Sequence, residues 1–284
     1  MKIKILSDST CDLSPELLQK YDITLAPLTV IKNGENFLDG VNIVPADIFE
    51  HVASGGDLCS TAAGNVGSYA ELFAQYADKY DGVIHINIGS GFSCSYQNAC
   101  LAAEDFENVR VIDSQNLSTG QGLLVLKACE LAQTCDDLDE ICRQLNSYAP
   151  RIEASFLLDQ LGYMVKGGRC SAVTALGANL LNLKPCIEVK DGKMSAVKKY
   201  RGNFNKSIVA YIKDRLGNRT DLDKGALFVT YTPISEECLS AVRQTVEEYA
   251  DFENIYWTQA GCTVSCHCGP GTLGVLFVRK EAES

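Results

Sequence analysis

Basic side chains are scarce in this 284-residue sequence: 25 Lys and Arg stand against 36 Asp and Glu, a formal net charge of -11. Nucleic acid and anionic membrane surfaces both select basic patches, so neither is expected as a partner. Long hydrophobic runs are missing too. The longest apolar stretch of interest, Ala172 to Leu183, is twelve residues, short of the ~18 that span a bilayer. No integral membrane association is therefore expected. Met1-Lys2-Ile3-Lys4 leads directly into a strand pattern with no signal-peptide core, from which a reducing, cytoplasmic location is expected. On that reading the 13 cysteines are small apolar filling and not a disulfide framework.

Nucleotide motifs are absent as well. There is no GxxxxGK[ST] phosphate loop, and Gly89-Ser90-Gly91-Phe92-Ser93-Cys94 supplies two glycines of GxGxxG without the third, so neither an intrinsic kinase nor a nucleotide cofactor is expected. Cys262, Cys266, His267 and Cys268 crowd one another as metal ligands, and no CxxC pair accompanies them. A metal site is not expected there.

What is present is ordinary core material, 46% apolar and 21% charged, in a chain longer than one compact core usually needs. Strand patterns at Ile3–Ser7, Val83 onward and Val109–Ile112 alternate with helical patterns at Val66–Tyr80, Ser93–Glu104, Leu123–Ala132 and Leu138–Tyr148. That alternation predicts a parallel, doubly wound sheet. Asn33-Gly34 and Asp191-Gly192 are hairpin signals, and Ala172–Asn182 reads as a buried helix. From about residue 159 the pattern becomes mixed. The expected fold is thus α/β in two domains, a mainly parallel doubly wound sheet over 1–158 and a mixed α/β sheet over 159–284, with a ligand at their junction. Ligands of doubly wound sheets lie beyond the strands' carboxyl ends, where the polar loops at Asp8, Ser90 and Asp113 would meet.

The stretch Val83 to Ala99 concentrates the chemistry. A strand breaks into Gly89-Ser90-Gly91-Phe92-Ser93 and resumes as helix, and unpaired N–H groups at a helix start favour an anion. Gly91-Phe92-Ser93-Cys94-Ser95 also misses the GxSxG nucleophile elbow only at its last position. A serine acyl hydrolase using Ser93 is one alternative, and it would need His51, His85 or His267 as base. Of these, His267 is the one placed in a glycine-rich loop. A non-catalytic anion pocket built from Ser93, Thr61 and helix amides is another reading, and it includes a small polar-ligand or phosphate sensor. Arg169, after two glycines, and Arg201, before Gly202, are cations whose planar fork suits carboxylate or phosphate.

The ordered set of these pieces resembles the DegV family of bacterial lipid-binding proteins, which includes the fatty-acid-binding subunit of bacterial fatty acid kinase. The resemblance runs through Asp8-Ser9-Thr10-Cys11-Asp12-Leu13, the Ser60-Thr61 loop, Gly89 to Ala99, Val111-Ile112-Asp113-Ser114, Phe156 to Ser171, Asn182 to Gly202 and His267 to Gly274. It implies two α/β domains gripping one long-chain fatty acid, with no other cofactor and no catalysis by this chain alone. The carboxylate would meet Thr61, Ser93 and His267, with Arg169 and Arg201 near the head group, and a separate fatty acid kinase catalytic subunit would be the protein partner. Cys94 and Ser95 replace the Gly-Thr that the resemblance leads one to expect after the binding serine, and Ala62-Ala63-Gly64 replaces a Gln-Pro-Ser type stretch.

Overall fold

The computed structural model describes residues 1–171 and 183–281. The helix expected at Ala172–Asn182 lies outside the described residues. The first part of the chain runs β1 (Ile3–Asp8), α1 (Pro15–Lys20), β2 (Thr24–Ala26), β3 (Thr29–Lys32), β4 (Glu35–Leu38), α2 (Pro45–Ala53), β5 (Ser60–Ala62), α3 (Val66–Ala77), β6 (Gly82–Asn87), α4 (Ser95–Ala103), β7 (Val109–Asp113), α5 (Ser118–Thr134) and α6 (Leu138–Tyr148). There follow β8 (Ile152–Leu158), α7 (Gly162–Gly167), β9 (Leu183–Lys190), β10 (Lys193–Arg201), α8 (Phe204–Leu216), β11 (Leu222–Tyr231), α9 (Glu236–Tyr249), β12 (Asn254–Gln259), α10 (Cys262–Cys268) and β13 (Thr272–Arg279).

Strands β2-β1-β6-β7 form a wholly parallel four-stranded sheet. Its residues face alternately, as a period of two requires. Leu6 and Val83 pack with Tyr69, Phe73 and Ala99 of α3 and α4, whereas Ile5, Ile84 and Ile86 pack with Leu124, Ala128 and Ile141 of α5 and α6. Helices therefore cover both faces, which is the doubly wound arrangement the alternating pattern predicts. Because both faces are covered, β6 is buried along its whole length.

The second sheet has six strands in the order β10-β9-β8-β13-β11-β12, mixed in direction, with β11–β12 the parallel pair. Strand β8, Ile152–Leu158, pairs with β13 and β9 in this second sheet, although the expected division at 158/159 assigns it to the first part. The physical reason is that β8 carries Ala154, Phe156 and Leu158 into the core that α5 shares with the first sheet, and a connection from α6 brings the strand there. Asn33-Gly34 and Asp191-Gly192 both turn hairpins with positive φ at each residue, 53° and 78°, then 51° and 68°, as two-residue turns demand. The run Ile23–Ile31, which reads as one strand, is two, broken at Pro27, a residue with no N–H to give a ladder.

A small antiparallel sheet, β4-β3-β5, reaches from the first part to the second. Its Val30, with Ile43 and Ile48, packs on Cys262 and Cys266 of α10. This contact sets β5, which carries Thr61, against the helix that carries His267.

Candidate functional site

A cavity of ≈ 470 Å³ lies where β5, the loop after β6, the segment after α7 and helix α10 meet. That volume is within the range of roughly 300–1,000 Å³ usual for small-molecule sites. Thr61, Ser93, Arg169 and His267 all line it, so four of the five expected head-group residues share one space. Arg201 does not: it is exposed at the end of β10 and is not among the described lining residues. Leu28, Ile88 and Phe92 supply apolar wall, and no described lining residue is a carboxylate.

The loop that carries Ser93 is braced from three sides. Asp113 at the end of β7 accepts from the Ser90 amide at 3.0 Å and the Ser90 hydroxyl at 2.6 Å. The Gly89 amide donates to the Asn116 carbonyl at 2.7 Å. Gly91 lies against the hairpin turn of the second sheet, where an added Cβ would sit 2.2 Å from the Gly192 carbonyl oxygen. These contacts show that the polar loops expected to converge do meet, but Asp8 and Asp113 act as braces and not as lining. Asp8 is fully buried and accepts from the Ile88 amide at 2.7 Å.

His267 sits in the last turn of α10 rather than in a glycine-rich loop; the glycines begin at the helix's end, Gly269. Its Nε2 is 2.8 Å from Thr61 Oγ1. The Nδ1 is buried with no described partner, packed where a Cβ on Gly167 would be 2.4 Å away. An orphaned N–H costs more than an orphaned lone pair, so the proton is assigned to Nε2, and the ring donates to Thr61. The Thr61 hydroxyl is then left with its own hydrogen to offer the cavity. Burial, helped by the Arg169 charge, pulls the imidazole down to about 4, so it is neutral at pH 7 and is not a second cation.

Helix α10 is held at its start by two carboxylates from the first part of the chain. Asp39 accepts from the Cys262 amide at 2.9 Å and, through its other oxygen, from the Thr263 amide and the Ser9 hydroxyl, both at 3.0 Å. Asp12 accepts from the Gly261 amide at 2.8 Å and the Ser118 hydroxyl at 2.6 Å, and burial pushes its carboxyl up to about 8. Thr263, one turn before His267, also lines the cavity, and its buried hydroxyl has no described partner. Sequence reasoning missed Asp39 and Thr263. The available signal for Thr263 was its i, i+4 relation to His267, which is invisible while His267 is read as loop.

The requirements of a serine hydrolase are not assembled among the described residues. Ser93 Oγ is paired with Ser95 Oγ at 2.9 Å, while His267 is paired with Thr61 and has no carboxylate behind it. His85 is buried in the core edge-on to Tyr69 and Phe73, where burial pulls its ring down to about 3. The cysteines flanking His267 diverge: Cys262 and Cys266 join the small core under β3, and Cys268 joins the main core. No group of three or more metal-ligating side chains occurs among the described residues. None of the described helices is long and apolar enough to cross a membrane.

Fold and site together define a two-domain α/β protein with a cavity of neutral hydroxyl donors and one guanidinium at the junction, suited to an anionic head group. The chain belongs to the DegV family: the family model described as "Uncharacterised protein, DegV family" matches residues 2–280. A DegV domain-containing protein of Clostridium acetobutylicum is 32% identical over 283 residues, covering 98% of this chain and 99% of the relative. Among solved structures, a DegV family protein from Thermus thermophilus described for its fatty acid binding superposes with a TM-score of 0.87 at 27% identity, covering 98% of this chain and 100% of that one. A stearic acid-binding protein from Eubacterium ventriosum does so with 0.83 at 28%, covering 98% of each.

Proposed function

We propose that this chain binds one long-chain free fatty acid, with its carboxylate against Thr61, Ser93 and His267 and near Arg169, and presents that carboxylate to a separate kinase that forms the acyl phosphate. The observation that carries the reading is the lining of the cavity: hydroxyl donors, a neutral histidine and one guanidinium beside Leu28, Ile88 and Phe92, without a carboxylate among the described lining residues. Such a lining repels no anion and leaves an apolar wall for a tail. The relatives described as binding fatty acid and stearic acid support the same ligand class.

Affinity would come from the tail. At ~0.8 kcal/mol per buried CH2, a sixteen-carbon chain gains roughly 12 kcal/mol gross, from which association and ordering costs are subtracted. The polar contacts then fix direction. In this reading the chain acts as a carrier with no catalysis of its own, works in the cytoplasm, and relies on the kinase for nucleotide, since its sequence holds no phosphate loop.

The test is native mass spectrometry of the purified chain, followed by incubation with a fatty acid kinase catalytic subunit and MgATP. A co-purifying fatty acid and kinase-dependent acyl phosphate are expected. A chain that binds no fatty acid sinks the carrier, and ester turnover with fluorophosphonate labelling of Ser93 would replace it with a hydrolase.

A further inference from the structure

Charge is unevenly spread along this acidic chain. From Lys184 to Arg219 ten Lys and Arg stand against three Asp and Glu, a local +7 that leaves −18 for the rest of a chain whose net charge is −11. The segment holds β9, the edge strand β10 and α8. Four of its cations are held by carboxylates: Lys184 by Asp159, Lys198 by Asp214, and Arg215 and Arg219 by Glu153. Lys213 lies over the Tyr249 ring, 5.1 Å from its centre. Lys190, Lys193, Lys199, Arg201 and Lys206 are exposed, and none of them has an ion pair among the described residues.

One or two lysines on an edge strand keep another strand from pairing with it. That purpose accounts for Lys193 and Lys199 and leaves Lys190, Arg201 and Lys206 without a task. The place of the surface supplies one. The β9–β10 turn abuts the loop that carries Ser93, since a Cβ on Gly91 would be 2.2 Å from the Gly192 carbonyl oxygen, and Lys193 follows Gly192 directly. A protein that acts on a carboxylate beside Ser93 meets this hairpin as it reaches the cavity. Single exposed ion pairs are worth little, but a cluster of one sign steers an oppositely charged partner and raises its encounter rate roughly 10- to 1,000-fold. A lipid surface fits less well. Peripheral lipid binding joins cations to apolar side chains that enter the bilayer, and Val197 is the one large apolar side chain exposed in this segment among the described residues. The −18 carried by the rest of the chain is repelled by anionic lipid.

We propose that the exposed cations of β9, β10 and the start of α8 form a docking surface for an acidic protein face, that of the kinase subunit which acts on the bound carboxylate. This rests on the kinase reading of the site and names the surface and the charge that the reading needs. Fatty-acid binding and kinase docking then use separate residues: the cavity lining holds the ligand, and the hairpin beside it holds the partner.

The experiment measures the KM of a fatty acid kinase catalytic subunit for the oleate-loaded chain, at about 0.1 M and about 0.5 M salt, a range over which screening shortens. The wild type is compared with Lys193→Glu/Lys199→Glu and with Lys20→Glu/Lys79→Glu, an equal charge change at exposed positions in the first part of the chain. Oleate calorimetry and melting accompany each variant. The hairpin pair should raise KM about tenfold at the lower salt and about twofold at the higher, with oleate affinity and melting unchanged. The control pair should raise it less than about twofold. Lys193→Gln/Lys199→Gln, which removes charge without reversing it, should give a smaller rise of about threefold and serves if the reversed pair misfolds. Equal rises for hairpin and control, no rise, or a rise that salt leaves unchanged overturns the docking surface while the kinase reading stands. Sedimentation with phosphatidylglycerol vesicles that the hairpin pair abolishes, with KM unmoved, gives the surface to a membrane and overturns the proposal. A wild-type chain that binds oleate yet yields no acyl phosphate overturns the kinase reading and the docking surface with it.

Discussion

Replacing Asp39 by Asn should loosen the head-group site from a distance. Asp39 is 4% exposed and its two oxygens receive three donors, the Cys262 and Thr263 amides and the Ser9 hydroxyl. Asparagine conserves the volume but offers one oxygen. With that oxygen placed toward Thr263 and Ser9, the NH2 faces the Cys262 N–H, and a buried donor loses its acceptor at a cost of roughly 1–3 kcal/mol. The negative charge at the start of α10 is lost as well, worth about 1 kcal/mol against the unpaired amides there. The sum is about 2–4 kcal/mol. Because α10 carries both Thr263 and His267, the fraction of molecules with a formed site falls, and apparent affinity falls with it. If about 1.4 kcal/mol of the loss is expressed as local opening of α10, fatty-acid affinity drops roughly tenfold. Thermal melting and displacement of a fluorescent fatty acid measure the two effects separately. An Asp39→Asn chain that melts with the wild type refutes the capping argument. One that is destabilised yet binds as well as the wild type shows that α10 is not the element Asp39 holds.

Gly91→Ala tests the brace between the two parts of the chain. The new Cβ would lie 2.2 Å from a backbone oxygen, that of Gly192, so the Ser93 loop or the β9–β10 hairpin must move, at a cost of about 1–3 kcal/mol. Faster amide exchange over residues 89–95 and weaker fatty-acid binding are expected, and an unchanged exchange pattern counts against the contact. His267 gives a pH effect of known sign. Its folded value of about 4 lies below the ordinary value of 6.5, so the unfolded chain binds the extra proton between those two pH values. Stability is full above pH 6.5 and is lost toward pH 4 by about 3 kcal/mol. The difference between wild type and His267→Gln in denaturant melts should close by that amount as pH falls from 7 to 4, and a difference that stays constant refutes it.

The local elements were legible in the residues for local reasons. Short apolar, β-branched runs mark β1, β6 and β7, and Asn-Gly and Asp-Gly mark the two hairpins because few other pairs accept positive φ twice. Ser93 was legible through the strand-loop-helix junction that exposes it. Arg201 shows the limit of that reading: a cation before a glycine says nothing about which way its strand end faces, and pairing in the six-stranded sheet leaves it exposed away from the cavity lining.

What the sequence determined by itself is therefore the class of each segment, the doubly wound first sheet and the family, all of which rest on short-range patterns and their order. Tertiary structure alone decided which residues share a cavity. Thr61 and His267 are 206 positions apart and meet because the small sheet packs on α10. It also decided which carboxylates brace the site. Asp12 and Asp39 read as ordinary loop positions until the fold brings them to the start of α10, more than 200 residues away, where they accept from the Gly261, Cys262 and Thr263 amides.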